Sequence, residues 1–314
     1  DVRVGGNIGV PALDLLHEPK PDLYVLELSS FQLETTESLN ASAAVMLNIS
    51  EDHMDRYYDI NDYTAAKAKI YYGTGTLVVN LDDERVMATV SRIRQGRKLS
   101  GFTENVPGEN EFGLCQKNNE SYLCYEQEFL IPLSELRIKG KHNAMNALAA
   151  LALGKVANIS MAAMLMTLKV FPGLPHRSQW VAEQDGIAWY NDSKATNVGA
   201  AIAAIKGIEA NKIILIAGGQ SKGQDFSPLK DVVKDKVRHL ILLGEDAEII
   251  NEALSGCTEI TFVKDLAEAV LQAKNFASKG DVVLLSPACA SFDMFSGYEN
   301  RGDVFVSEVK RILP

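Results

Sequence analysis

Cysteine is scarce in this chain. The four present, Cys115, Cys124, Cys257 and Cys289, form no CxxC pair, which excludes a disulfide framework and a thiolate metal site of the usual spacing. No run of about 18 apolar residues exists to span a bilayer. The opening residues, DVRVGGNIG, lack the basic and apolar regions of a signal peptide, so reduced thiols and a cytoplasmic location are expected. Positive charge is also in deficit: 31 Lys and Arg face 41 Asp and Glu, a formal net charge of -10. That balance disfavours nucleic acid as a general partner and leaves local phosphate sites open. No internal repeat or low-complexity tract stands out.

What is present is enough for a core. With 314 residues, 46% hydrophobic and 23% charged, the length suggests two domains. Residues 23–28 (LYVLEL) and 43–47 (AAVML) read as strands buried in a parallel sheet. Residues 62–71 read as a helix, 77–79 as a strand and 83–93 as a helix, an alternation that implies βαβ units. Between 98 and 138 the pieces EFGLC, SYLCY and FLIPL suggest an antiparallel insertion or edge. Helices follow at 142–156 and 161–168. The proline- and glycine-rich stretch 171–177, FPGLPHR, is a linker signal, so the expected domains are 1–172 and 173–314. Beyond it, strands at 212–217, 239–243, 259–263 and 282–285 alternate with helices at 229–234, 247–254, 266–277 and 304–312. This is the pattern of a doubly wound, Rossmann-like α/β domain.

Ligands of open α/β sheets bind beyond the carboxyl ends of the strands, so polar residues after apolar runs are the first candidates. Glu27 closes one strand, and Glu51, Asp52, His53 and Asp55 follow the next. If those strand ends pair, Glu27 and His53 come together. Carboxylate and imidazole beside phosphate oxygens suit Mg2+, although each is equally a hydrogen-bonded group at a strand or loop end. Lys67 sits among Ala65, Ala66 and Ala68. If buried, its amine turns neutral and can take up carbon dioxide as a metal-binding carbamate; if not, it is a solvated helix lysine.

Asn143 and Asn146, at i and i+3, share a helix face, and their amides suit an adenine or ribose, or a helix cap. Arg177 and Lys194 can balance phosphoryl charge, while Asp192 can hold a nucleotide hydroxyl or cap a helix. AGGQSKGQDF, 217–226, is neither a Walker loop nor GxGxxG, but it holds Lys222 on a tight turn. SPACASFDMF, 286–295, offers hydroxyls, backbone donors and an aromatic ring; Cys289 within it lacks a partnered base and is a poor candidate nucleophile.

Taken together, GGNIG, ELSSFQLETT, NISEDHMDRY, AAKAKIY, KGKHNAMNALAALA, PHRSQ, NDSKATN, AGGQSKGQDF and LLSPACASFDMF stand in the order seen in the Mur ligase family. The chain resembles that family from Gly5 to Arg301, and its last two segments, with YENRG, resemble the D-glutamate-adding branch. The resemblance implies an α/β fold: the remainder of a central ATPase-type parallel-sheet domain, then the Rossmann-like domain. It implies that Glu27, His53 and a carbamylated Lys67 bind Mg2+ and serve catalysis with Lys194. Asn143, Asn146, Arg177 and Asp192 would contact ATP, and Asn7 would contact the muramoyl substrate. Thr196, Lys222, Ser291, Phe292 and Tyr298 would surround D-glutamate.

The implied activity is ATP-dependent addition of D-glutamate to UDP-N-acetylmuramoyl-L-alanine through an acyl phosphate, in peptidoglycan synthesis, by a cytoplasmic monomer. Sister readings are folylpolyglutamate synthase, another Mur ligase, or a non-catalytic binding fragment. The family's GxxGKS/T loop and N-terminal uridine-nucleotide domain are not found in these 314 residues. The expectation is a truncated ligase, inactive on its own because that loop cradles the phosphates.

Overall fold

The computed structural model describes residues 1–17, 19–138 and 140–313. Lys139, the first residue of the KGKHNAMNALAALA segment, lies outside them. The chain forms two compact units. The first comprises Asp1–Ile49, Tyr57–Ile131 and Met145–Leu165, and the second Ser50–Arg56, Pro132–Ala144 and Met166–Pro314.

In the first unit, β1 (Val2–Gly6) and β2 (Leu23–Glu27) form a two-stranded parallel sheet. Helix α1 (Ser30–Glu34) follows, started by a capping box in which Ser29 and Gln32 satisfy each other's free backbone N–H groups. Strand β3 (Ala43–Met46) leads through α2 (Ile60–Ala68) to β4 (Thr76–Asn80), and α3 (Glu84–Ile93) leads to β5 (Leu99–Phe102). Asp59 and Asp83 cap the two longer helices by accepting from their first-turn N–H groups. Strands β6 (Glu111–Lys117), β7 (Glu120–Tyr125) and β8 (Glu128–Pro132) complete a six-stranded sheet ordered β3-β4-β5-β6-β7-β8. Leu77, Val78, Val79, Phe112 and Leu123 are fully buried in it.

Three expectations change. Strand β2 is not buried: Val25 and Leu26 are 45% and 38% exposed, because among the described residues β2 pairs only with β1. Strands β2 and β3 belong to different sheets, so strand pairing does not bring Glu27 and His53 together. The expected antiparallel insertion begins later than residue 98, since β5 pairs in parallel with both β4 and β6, and the direction reverses at β6–β7.

Helices α4 (Lys141–Val156) and α5 (Met161–Val170) follow. The second unit then builds β9 (Gln179–Gln184), β10 (Ile187–Asn191), α6 (Val198–Gly207), β11 (Ile213–Ala217), α7 (Lys230–Lys236), β12 (Val237–Leu242), α8 (Ala247–Leu254), β13 (Glu259–Phe262), α9 (Leu266–Phe276), β14 (Val282–Leu285) and α10 (Tyr298–Ile312). Its sheet order is β13-β12-β11-β14-β10-β9, parallel except for the β9–β10 hairpin. The core strands are apolar on both faces because both are covered. Residues of α6, α7 and α8 pack on one side and residues of α9 and α10 on the other, the doubly wound arrangement. Helix α10 begins six residues before the expected 304, so Tyr298 is helical; the acidic and polar YENRGD start hid the turn that Arg301 and Gly302 bury. Among the described residues no helix is long and apolar enough to cross a membrane.

Phe305 of α10 is fully buried and lies 6.4 Å from the ring of Trp189. Removing that ring leaves a cavity in a close-packed core, a change that costs about 3–5 kcal/mol. Both tryptophans, Trp180 and Trp189, lie in the second unit, so their fluorescence reports its unfolding. Phe305→Ala is expected to lower its stability by that amount in a denaturant titration. A loss under about 1 kcal/mol would mean that α10 is not fastened through this ring.

Candidate active site

Strands β11, β14 and β10 are parallel neighbours, so the segments that follow their carboxyl ends emerge side by side. These are AGGQSKGQDF, SPACASFDMF and NDSKATN, and the sheet order brings together what the sequence separates. The first two zip together: Gln220 and Ala290 exchange backbone hydrogen bonds at 3.0 and 2.9 Å, and the Gly218 N–H donates to Pro287. Only glycine allows this approach. Gly218 and Gly219 have φ of +125° and +129°, and an added Cβ would lie 1.8 Å from the Leu243 carbonyl oxygen and 2.1 Å from that of Ala290.

Arg301, which no sequence motif singles out for a role, joins the second and third of these loops. It is 2% exposed. Its Nε donates to Ser193 Oγ at 3.0 Å, and its Nη atoms donate to the carbonyls of Ser193, Cys289 and Ala290 at 2.9, 3.0 and 3.3 Å. Ser193 Oγ in turn donates to the Tyr298 carbonyl at 2.8 Å. Burial lowers the Arg301 pKa to about 10. The signal was in the sequence: Arg301, Phe305 and Val309 recur at helical spacing on the buried face of α10.

Asp192 is also buried, 7% exposed. Its Oδ1 accepts from the Ser178 N–H and its Oδ2 from Ser286 Oγ, both at 2.9 Å. Both oxygens are therefore already engaged, and the cap of α6 is Asn197, not Asp192. Burial raises its pKa to about 7 against these hydrogen bonds and the nearby Arg177. Asn191, fully buried, donates through its amide to His176 Nδ1 at 3.0 Å and to the Gly302 carbonyl at 3.2 Å. This fastens the start of NDSKATN to α10.

Lys194 places its Nζ 4.0 Å from the centre of the Tyr298 ring, which also meets His176 edge-on. A cation is held there by the ring's quadrupole. Thr196 is half-buried on the same turn, its N–H donating to the Lys194 carbonyl. Arg177 is exposed, Ser291 is 2% exposed and Phe292 is 70% exposed. Cys289 is fully buried and burial pushes its thiol up to about 12, which leaves it protonated and inert as a nucleophile.

Segment Ser50–Arg56 belongs to the same unit. His53, at φ +57°, lies beside Asp52, whose Oδ1 accepts from the His53 N–H at 2.9 Å. Lys222, at φ +54° on its tight turn as expected, places Nζ 3.4 Å from Asp52 Oδ1. Asn143 lies in the first turn of α4 and is half-buried; it is not the cap, since its N–H donates to the Gly140 carbonyl.

In the first unit, Asn7 and Glu27 are brought together: the Asn7 N–H donates to the Glu27 carbonyl at 2.6 Å and its amide to Oε1 at 3.3 Å. Gly6 permits this, because a Cβ there would lie 2.2 Å from the Glu27 carbonyl oxygen. Lys67 is half-buried with Nζ 5.4 Å from the Tyr63 ring centre, and Asn146 is exposed on α4. Among the described residues no three His, Cys, Asp or Glu side chains group closely enough to hold a metal. Mg2+ characteristically completes its shell with water and substrate phosphates, and an exposed carboxylate such as Glu27 is the hard oxygen donor it takes.

The pKa of Asp192 has a consequence for stability. A carboxyl raised from 3.8 to about 7 in the folded state supports the fold fully below pH 3.8, and that support is lost as pH rises through 7. Asp192→Asn stays neutral and can keep both hydrogen bonds. Its melting temperature relative to the wild type is therefore expected to rise between pH 5 and pH 8; an offset independent of pH would rule out a protonated, buried Asp192.

Residues 4–154 match the Mur ligase middle domain, and residues 176–289 match the Mur ligase glutamate ligase domain. The UDP-N-acetylmuramoylalanine--D-glutamate ligase of Nitrosococcus oceani is 51% identical over 313 residues, 99% of this chain and 68% of that protein. The same ligase of Pseudomonas fluorescens is 50% identical over 98% of this chain and 69% of that protein. Among solved structures, MurF ligase from Thermotoga maritima in complex with ADP superposes with a TM-score of 0.74 at 16% identity, covering 99% of this chain and 74% of that one. A bifunctional folylpolyglutamate synthase/dihydrofolate synthase from Yersinia pestis gives 0.66 at 20% identity, covering 96% and 72%; likeness at these identities speaks for the fold. With both family domains present in order and half of the residues identical to ligases of one kind, this chain belongs to the Mur ligase family.

Proposed function

We propose that this chain carries the amide-forming machinery of an ATP-dependent ligase that adds D-glutamate to UDP-N-acetylmuramoyl-L-alanine in peptidoglycan precursor synthesis, acting as a cytoplasmic monomer. The reading rests above all on one observation: three loops at adjacent strand ends are tied together, two by Arg301 and the third through the Gln220–Ala290 backbone pair, and they present Lys222, Ser291, Thr196 and Lys194 beside Tyr298 of α10. The 51% identity to D-glutamate ligases supports the choice of amino acid.

The L-alanyl carboxylate attacks the γ-phosphate of ATP, giving an acyl phosphate and ADP. The amine of D-glutamate then attacks the acyl carbon, losing a proton as phosphate departs and the amide forms. Arg177 and Lys194 offset the charge of the moving phosphoryl group. Lys222 and the Ser291 loop hold the carboxylates of D-glutamate, with Thr196, Phe292 and Tyr298 around it, and orient its amine. Asn143 and Asn146 contact the nucleotide. Asp192 does so through the hydroxyl-bearing Ser178 and Ser286 it holds, since its own oxygens are engaged. Asn7 meets the muramoyl substrate. Glu27, His53 and a carbamylated Lys67 would hold Mg2+, which when bound neutralises phosphate charge.

The test is phosphate release by the product of the complete reading frame, with UDP-N-acetylmuramoyl-L-alanine and either D- or L-glutamate. Release with D-glutamate alone is expected. Lys222→Ala should raise KM for D-glutamate on the order of 10- to 100-fold, the worth of one charge-assisted hydrogen bond, with KM for ATP unchanged. Release with another amino acid, or with a folate in place of the muramoyl substrate, would move the chain to a sister ligase.

A further inference from the structure

In the sequence Asp52 is one acidic residue in a cluster, and the fold gives it a built position. Its side chain is 15% exposed. Its Oδ2 accepts from Asn197 Nδ2 at 3.0 Å and its Oδ1 from the His53 N–H at 2.9 Å. Asn197 is the cap of α6, its own Oδ1 accepting from the Ala200 N–H at 2.8 Å. Gly199, in the first turn of the same helix, has no side chain to hold Ser50 away: a Cβ there would lie 2.7 Å from Ser50 Oγ. The carboxylate is thus anchored on the amino end of α6, where the helix dipole also favours negative charge.

Lys222 is anchored on the same turn from the other side. Gln224 Oε1 accepts from the Val198 N–H at 2.9 Å, and Gln224 Nε2 donates to the Ser221 carbonyl at 2.8 Å. With Lys222 at φ +54° and Gly223 at φ +72°, the backbone of the turn is set and only the flexible lysine stem can adjust. The Lys222–Asp52 separation is 3.4 Å, with the lysine side chain 19% exposed. Charge-assisted N–H···O bonds close to about 2.7–2.9 Å. The neutral donors therefore grip Asp52 more tightly than the lysine does, and the ion pair is loose and reachable from solvent.

We propose that Asp52 and Lys222 form a clamp for a zwitterion, in which Asp52 binds the α-ammonium of the incoming amino acid while Lys222 binds one of its carboxylates. This rests on the reading of Lys222 as a D-glutamate residue. A carboxylate offers about four lone-pair directions, and three are engaged here, two by neutral donors and one by the lysine. An ammonium entering beside Asp52 takes a free direction, and the lysine swings from Asp52 to the substrate's carboxylate. Each charge keeps an opposite partner throughout, so a zwitterion enters without leaving a largely buried charge unpaired. An acid without the amine leaves Asp52 with the His53 ring, its Nε2 3.8 Å from Oδ1, in place of a hydrogen-bonded ammonium when Lys222 turns away, and the site disfavours it.

The experiment uses the product of the complete reading frame. It compares KM for D-glutamate with the inhibition constant of glutarate, the same diacid lacking the amine, in the wild type and in Asp52→Asn. The isosteric variant keeps an oxygen to accept the His53 N–H; it loses the charge and the oxygen that accepts from Asn197 Nδ2. KM for D-glutamate is expected to rise on the order of tenfold or more, while glutarate binds as well as before or better and KM for ATP holds. If the variant lowers KM for D-glutamate, Asp52 is an internal occupant that substrate must displace; if D-glutamate and glutarate weaken equally, Asp52 is a prop for the loop. Either result overturns the clamp. If the wild type turns over a different amino acid, the proposed substrate fails, and the same comparison of that amino acid with its deaminated acid still decides the clamp.

Discussion

The guanidinium of Arg301 holds the loops of the second unit in one arrangement. It is buried, among the described residues no carboxylate is hydrogen-bonded to it, and the carbonyls of Ser193, Cys289 and Ala290 together with Ser193 Oγ take its donors. A buried cation demands such partners, because unpaired it costs several kcal/mol. The loops satisfy the arginine and the arginine fixes the loops. Phe305, one turn further along α10, locks the helix onto the sheet, so core packing sets the height at which the guanidinium sits.

The chemistry then follows from the sheet. Because β11, β14 and β10 are adjacent and parallel, three segments widely separated in sequence end at one edge. Buried polar groups occupy that edge in complementary states: Asp192 holds a proton near neutrality, Arg301 remains a cation, and Cys289 stays a thiol. The groups that face solvent more freely, Lys194, Arg177 and Phe292, are those suited to meet a ligand. Buried, hydrogen-bonded support lies beneath and more exposed side chains lie above, the division that a site needs to orient two reactants.

Much of this was legible beforehand. The parallel strands and helices of the second unit showed in apolar runs separated by turn residues, since a sheet covered on both faces needs continuous hydrophobic strands. The tight turn at Lys222 was readable from its glycines. The exposure of β2 was not, because an apolar run carries no record of whether another layer covers it. The start of α10 was hidden for the opposite reason: its first turn buries an arginine and a glycine, which hydropathy scores as surface.

By itself, the sequence determined local chemistry: which strands and helices form, which turns need glycine, and the ordered segments that mark the family. Tertiary structure alone decided the partnerships. Asp192 became a raised carboxyl because the fold buries it, against the hydrogen bonds it accepts from Ser178 and Ser286. Arg301 became a tie because two chain segments turn three carbonyls toward it. Asp52, remote in sequence from Asn197 and Lys222, became their partner. Charge state and pairing depend on distance and burial, and both are properties of the folded arrangement.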